Sequence, residues 1–471
     1  MLIIQGGMGI AVSNWRLAQT VSSLGQLGVV SGTAIDQVLS RRLQEGDPGG
    51  HMRRALDAFP VPALAQAVWD EFYVPEGIGP LDTFKKIEMP TATPSFEWQA
   101  RVMVANFVEV FLAREGHDNP VGINFLEKLQ TPHLPSIYGA MLAGVDYVLM
   151  GAGIPMKIPG VLDRFANHEP ATYPLSVSGA SVDEPVLLSM NPRDFVDMDL
   201  PPLKRPKFLA IVASDTLAQS FTRRANGKVD GFVVEGPTAG GHNAPPRGAT
   251  QLNERGEPIY GPRDVVDLEK MKALGVPFWL AGGVGTLEGV KAALAAGAEG
   301  VQVGTAFALS KESGLRDDIR QALLAREREG TAAVLTSALA SPTGFPFKVA
   351  ALEGTLSEGD VYEKRPRICD LGYLRTPYRK EDGEVGFRCP SEPVNLYVAK
   401  GGDVKDTEGR ACICNALMAT IGLPQTRARK HVEAPIITMG DDLIGIGRFL
   451  PPGATEYSAA DVIAALTEGL V

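Results

Sequence analysis

Short apolar runs alternate with longer stretches whose apolar positions recur at helical spacing. The runs at residues 2–4, 27–30, 120–125, 145–150, 207–213, 230–235, 276–280 and 300–303 read as eight strands. Each is only four to seven residues or so and nearly continuous in hydrophobicity, as expected of strands covered on both faces. Between them, residues 14–24, 135–143, 216–224, 263–274 and 310–329 carry amphipathic helical patterns. Strand–helix alternation predicts a parallel sheet, and eight repeats favour an α/β fold of the (β/α)8 TIM-barrel type over an open doubly wound sheet.

Two intervals exceed one crossover helix. Residues 34–118, after strand 2, hold helical patterns at 52–69 and 97–114 and read as a helical insertion. Residues 155–205, after strand 4, hold a helix at 158–166 and then two short runs, 172–178 and 184–190, that suggest a hairpin or an irregular excursion. Beyond about residue 350 the alternation is lost. The expected organisation is therefore a barrel over 1–349 with inserted segments at about 34–118 and 155–205, and a small appendage over 350–471. Ser458 is the expected N-cap of a last helix at 459–466.

Composition narrows the function classes. The 471 residues are 45% hydrophobic, ample for a large core, and carry a formal net charge of −10 without a long basic block. That balance argues against nucleic acid as the main partner. No run of about eighteen apolar residues occurs, so no membrane span is expected. The first residues lack a basic stretch ahead of their apolar run, unlike a signal peptide. With only four cysteines, a reducing cytoplasm is the expected compartment.

Chemistry in a parallel barrel belongs at the C-terminal ends of the strands. Those ends read Gly6-Gly7-Met8, Ser31-Gly32-Thr33, Asn124, Gly151-Ala152-Gly153, Glu235 through His242, Gly282-Gly283 and Gln302-Val303-Gly304-Thr305. Glycine at a strand–helix turn lets the main chain approach a flat ligand and leaves N–H groups free for an anion. The turns after strands 7 and 8, at Gly282-Gly283 and Gly304-Thr305, read as a phosphate clamp. A dinucleotide fingerprint at Gly7-Met8-Gly9 fails, because Val12 stands where the third glycine belongs and strand 2 ends on Thr33 without an acid. His242, just past strand 6, is the clearest catalytic candidate, since histidine exchanges protons near neutrality. Its competing role is simple hydrogen bonding. His51, His117, His133, His168 and His431 read as surface or structural.

These pieces, in this order, resemble the nitronate monooxygenase family, formerly called 2-nitropropane dioxygenases, which is similar to the flavin-type bacterial enoyl reductases. The matching residues are Gln5-Gly6-Gly7-Met8-Gly9, Gly122-Ile123-Asn124, Ala239-Gly240-Gly241-His242, Ala281-Gly282-Gly283-Val284 and Gln302-Val303-Gly304-Thr305. The resemblance implies FMN as cofactor, with its phosphate at Gly283, Gly304 and Thr305, and contacts from Asn124 and Gly240. Gln302 and Val303 belong to the phosphate-side segment, Gly6, Gly7 and Met8 pack against the flavin ring, and Gly241 and Glu235 border it. His242 then lies on the substrate side. The implied activity is oxidation of alkyl nitronates by O2. Two departures keep a second activity open. The family usually carries Gln where this chain has Glu235, and an acid where it has Thr238. Glu235-Gly236 is closer to the enoyl reductases, which use NADH or NADPH on unsaturated acyl thioesters. A third reading is a non-catalytic flavin or electron-transfer subunit. The partners expected are a small-molecule substrate with O2 or NAD(P)H. Oligomeric state is left open.

All four cysteines, Cys369, Cys389, Cys412 and Cys414, fall within 46 residues of the appendage. Four thiolates could hold Zn²⁺ or an iron–sulfur cluster. The spacings, nineteen, twenty-two and one intervening residues, include no C-x-x-C pair, and four unligated thiols are the alternative.

Overall fold

A computed structural model describes residues 1–181, 184–196, 200–427 and 431–470. Eight parallel strands are present: β1 (Ile3–Gln5), β2 (Gly28–Ser31), β3 (Val121–Leu126), β4 (Tyr147–Gly151), β5 (Lys207–Val212), β6 (Gly231–Glu235), β7 (Phe278–Ala281) and β8 (Gly300–Val303). Each pairs with its chain neighbour, and β8 pairs with β1 through Ile3↔Val301. The ring closes between β1 and β2. There Gln5 N–H donates to Leu27 O at 2.9 Å, and Leu27 N–H donates to Ile3 O at 3.1 Å. The sheet is a TIM barrel with no free edge.

Side-chain alternation sorts the strand residues between two cores. Ile4, Leu27, Val29, Leu149, Leu209, Val233, Trp279 and Ala281 form a separate cluster that fills the barrel. Their neighbours in sequence point outward into the larger core beneath the helices. A strand buried on both faces has no polar side to mark it, which explains the continuous apolar runs in the sequence.

The insertion after β2 is helical: α1 (Trp15–Ser23) precedes it, and α2 (Ile35–Gln44), α3 (His51–Asp57), α4 (Pro62–Phe72) and α5 (Phe96–Arg114) follow. The single helix expected over 52–69 is two helices. Pro60 and Pro62 interrupt the backbone ladder, and Pro62 opens α4 at a first-turn position, where its missing N–H costs nothing. Helix α6 (His133–Leu142) joins β3 to β4, and the second interval opens with α7 (Ile158–Ala166). An antiparallel hairpin of Ala171–Leu175 with Val186–Met190 follows, as the sequence suggested.

The expected helix over 310–329 is shorter. Only Asp317–Arg328 is helical, because Ser310 and Ser313 turn their hydroxyls onto Phe307 O and Ala308 O instead. Likewise 263–274 contains a short 3₁₀ turn, Pro262–Asp264, and then the helix Leu268–Ala273. The last helix, Ala459–Thr467, starts as expected from Ser458. Its hydroxyl accepts from Asp461 N–H while Asp461 accepts from Ser458 N–H.

The C-terminal segment packs deep into the barrel mouth. Strand β9 (Val334–Ser337) pairs antiparallel with β10 (Phe347–Ala350). The chain returns so that Gly440 N–H donates to Thr305 Oγ1 at 2.9 Å and Asp441 N–H to Thr238 O at 3.0 Å. A side chain on Gly240 would come within 2.9 Å of Gly440 N and 3.0 Å of Met439 C, so that crossing requires glycine. No helix among the described residues is long and apolar enough to cross a membrane.

Candidate functional site

A cavity of about 210 Å³ opens at the C-terminal ends of the strands. Gly6, Gly7 and Met8 line it from β1, Asn124 from β3, and Glu235, Gly240, Gly241 and His242 from β6 and its loop. Gly282 and Gly283 follow from β7, and Gln302, Val303, Gly304 and Thr305 from β8. The proposed flavin contacts and His242 thus border one space, whereas Gly32, Gly153, Gly236 and Pro237 of the strand ends do not line it.

The first wall is held by Gln5 and Ser13, both fully buried. Ser13 Oγ donates to Gly6 O at 2.8 Å and accepts from Met8 N–H at 2.9 Å, while Gln5 Nε2 donates to Ser13 Oγ at 2.9 Å. This pins the Gly6–Met8 turn against β3. A Cβ on Gly7 would lie 2.3 Å from Asn124 Cβ. The tight approach leaves the Asn124 amide facing the cavity, and it bonds to no other described residue.

At the opposite end, the backbone N–H groups of Gly283, Gly304 and Thr305 donate to no other group among the described residues. The helix Leu287–Ala295 begins just beyond Gly283, with Thr286 as its N-cap. Free N–H donors beside a helix start attract an anion. Gln302 Oε1 is buried without a hydrogen-bond partner, an acceptor left for a ligand N–H or O–H. The tail supplies further groups here. Asp442 accepts from the Gly285 N–H, and its carboxyl is pushed up by burial and held back by Arg448. Arg448 donates through Nη2 to Gly285 O at 2.8 Å.

His242 sits between β6 and the tail. Its Nε2 lies 2.7 Å from Ser341 Oγ, and its ring is 4.8 Å from that of Phe347. Burial, assisted by the nearby Lys128 ammonium, lowers its pKa to about 3, so the imidazole is neutral throughout the physiological range. Lys128 is itself pushed down to about 8 by burial. Glu235 is the reverse case. Desolvation alone raises its pKa to about 8, and no hydrogen bond or ion pair holds its carboxyl among the described residues.

The other histidines are structural where buried. His133 Nε2 donates to Leu126 O at 3.1 Å, and burial lowers its pKa to about 4. His168 bridges Tyr138 OH and Pro201 O.

The cysteine expectation needs correction. Cys369, Cys389, Cys412 and Cys414 do converge around a small void beside Arg375 and Glu392. Yet among the described residues no group of three or more His, Cys, Asp or Glu is disposed to hold a metal ion. Burial pushes all four thiols up, Cys389 to about 12, so each carries its proton at neutral pH where no metal is bound. Cys412 Sγ donates instead to Ile368 O at 3.7 Å. The Zn²⁺ or iron–sulfur clip is therefore withdrawn; the four are free thiols in a tightly packed wall.

Sequence reasoning also missed what the tail contributes. Tyr373, Leu374, Ile413, Cys414 and Leu417 line the cavity, together with Thr438 and Met439. Tyr373 OH donates to the buried Asp36 carboxyl, tying that wall to α2. Cysteine clustering was the one signal of this region.

Residues 200–341 match the family model described as nitronate monooxygenase. A probable nitronate monooxygenase of Bacillus subtilis (strain 168) is 36% identical over 132 residues, 27% of this chain and 36% of the relative. The nitronate monooxygenase of Pseudomonas aeruginosa is 30% identical over 203 residues, 42% of this chain and 53% of the relative. Over this stretch the chain is similar to the nitronate monooxygenase family. It spans about half or less of those curated relatives' own length, and the matched stretch covers β5 to β9 with His242 and both clamp turns. FabK from Thermotoga maritima superposes with a TM-score of 0.48 at 17% identity, covering 99% of this chain and 91% of that one.

Proposed function

We propose that the chain is an FMN-dependent oxidoreductase of the nitronate monooxygenase type, acting on alkyl nitronates with O2. The observation that carries the reading is the single cavity joining the free N–H groups of Gly283, Gly304 and Thr305 to His242. The residues present fit FMN. Unclaimed N–H donors suit a phosphate, the orphaned Gln302 Oε1 suits a ring or ribityl donor, and the Gly6–Gly7 turn offers a flat wall with no side chain in the way. FMN, when bound, would supply the electron transfer between substrate and oxygen.

The chain's own residues supply position and proton handling. Gly283, Gly304 and Thr305 bind the phosphate, and Asn124 and Gln302 orient the ring system. Met8 and Leu126 exclude water from its faces. His242, neutral and held by Ser341, accepts a Cα proton from a nitroalkane or donates a hydrogen bond to a nitro oxygen, according to its tautomer. Lys128 adds positive potential on the same side, which favours an anionic substrate.

A second reading, an enoyl reductase using NAD(P)H on unsaturated acyl thioesters, is favoured by one observation: the strand end at β6 carries a carboxyl, Glu235, and not an amide. The discriminating experiment is anaerobic mixing of the FMN-loaded protein with propyl nitronate and, separately, with NADH or NADPH. Bleaching of the flavin absorbance by nitronate alone supports the first reading. Bleaching by the nicotinamides, reversed by an unsaturated thioester, replaces it with the second.

A further inference from the structure

Glu235 ends β6 opposite Ala281 in the parallel register, so its carboxyl leaves the sheet at the rim of the cavity. It lines that cavity and has no partner of its own. The groups that could have served are engaged elsewhere. Tyr260 OH, on the loop after β6, donates to Ala244 O at 2.9 Å. His242 faces Ser341. Lys128, after β3, acts on His242 and Glu127. Asp264 acts on Tyr260, and Asp442 sits at the clamp on Gly285. The flanking strands β5 and β7 end in Ile211, Val212, Leu280 and Ala281, which carry no titratable group. A carboxylate in that setting is only partly exposed and has no cation paired with it among the described residues, whereas a carboxylic acid has a proton to give.

We propose that Glu235 works as a neutral carboxylic acid whose O–H donates a hydrogen bond to an oxygen acceptor of the bound substrate, a nitro or carbonyl oxygen. This rests on the cavity being the substrate site proposed above, and it names the recognised group in either version of that reaction. An acid kept neutral by its apolar surroundings is a stronger donor than an amide or hydroxyl, and its strength falls to nothing once it ionises. Ionisation also places a negative charge against the same oxygen. The site therefore selects substrates by oxygen acceptor at neutral pH and repels them in alkali. Burial, which raises the carboxyl to about 8, puts the changeover in mildly alkaline solution.

The test uses the FMN-loaded protein and nitrobenzene, which has nitro oxygens but no Cα proton to lose. Its dissociation constant is measured from the perturbed flavin spectrum between about pH 6 and 10, bracketing the changeover. The wild type is expected to lose affinity as pH rises through about 8. E235Q, which keeps a weaker N–H donor but cannot ionise, is expected to bind between the neutral wild type and E235A, without pH dependence. E235A is expected to bind about two- to tenfold more weakly at neutral pH, the worth of one hydrogen bond. Unchanged affinity in E235A, or alkaline loss that persists in E235Q, overturns the proposal. Infrared difference spectra of the cofactor-free protein give a reading independent of FMN. A protonated carboxyl band that vanishes in alkali and is missing from E235Q supports the assignment. A Glu235 already ionised at pH 6 overturns it. Failure to bind FMN would sink the function proposed above while leaving the infrared result standing.

Discussion

Gly7→Ala probes the wall on which the flavin is expected to lie. The added methyl would sit 2.3 Å from Asn124 Cβ, where ordinary contacts are 3.4–4 Å. One side must yield by more than 1 Å, the difference between those distances. Neither side is soft. Gly7 belongs to a turn fixed by the Ser13 hydrogen bonds to Gly6 and Met8. Asn124 lies inside β3, paired with Ser31 and Leu149, and its carbonyl accepts from Gly32 N–H at 2.8 Å. Overpacking of this kind costs about 1–3 kcal/mol. Most of that is common to the free and FMN-bound protein, so it lowers the unfolding temperature of both. The affinity loss comes from displacing the Asn124 amide. One misplaced hydrogen bond is worth about 0.5–1.5 kcal/mol, a two- to tenfold rise in dissociation constant. Titration of the cofactor-free variant with FMN, followed by quenching of flavin fluorescence, reads that number directly. The companion variant Asn124→Gly removes the Cβ that is struck. In that background Gly7→Ala should cost little further stability, a coupling that a double-mutant cycle isolates. An unchanged melting temperature, or an equal penalty in both backgrounds, would refute the packing argument.

Other consequences can be checked with simple variants. Glu235 holds its proton in the folded protein up to about pH 8, against 4.5 in the unfolded chain. Folding stability of the cofactor-free protein should therefore fall as pH rises across that window, by on the order of 5 kcal/mol at about 1.4 kcal/mol per unit. E235Q should flatten the profile and be the more stable of the two above pH 8; parallel urea midpoints against pH would contradict this. His242→Asn should retain FMN and lose at least a hundredfold in turnover, in line with about 10²–10⁴ for a proton-transfer group, and unchanged steady-state rates would remove its catalytic role. Asp442→Asn takes a carboxylate off the Gly285 N–H, so FMN should bind several-fold more tightly while riboflavin is unaffected. An equal change for both ligands would show that Asp442 does not face the phosphate.

Much of the barrel was legible because its strands are short, continuous apolar runs ending in glycine-rich turns, and β8 (Gly300–Val303) was bounded to the residue. The strand-end residues could be placed on one rim by counting alone, because parallel topology forces every C-terminal end to one face. Misjudged elements share a cause. The pattern over 52–69 has helical periodicity on both sides of Pro60–Pro62, and periodicity does not register a break in the hydrogen-bond ladder. Over 310–316 the serine hydroxyls compete with the helix for the same carbonyls. The tail was illegible for a different reason. Tyr373, Thr438, Gly440 and Asp442 reach the cavity through contacts such as Gly440 to Thr305, separated by more than a hundred residues, and no local pattern encodes such pairs. The cysteines were seen as a cluster, which they are in space, but their chemistry depends on burial that only packing reveals. Protonation was hidden likewise: Glu235 and His242 titrate ordinarily in an unfolded chain, and burial at the same cavity shifts one up and the other down, each toward its neutral form.

The most direct test of the account is binding of FMN against riboflavin to the cofactor-free protein, with the double variant Gly283→Ala and Gly304→Ala alongside. The account predicts one FMN per chain, riboflavin bound far more weakly, and loss of that preference in the variant, because the phosphate is held by the N–H groups of those turns. Equal affinity for FMN and riboflavin, or no flavin binding at all, would contradict it.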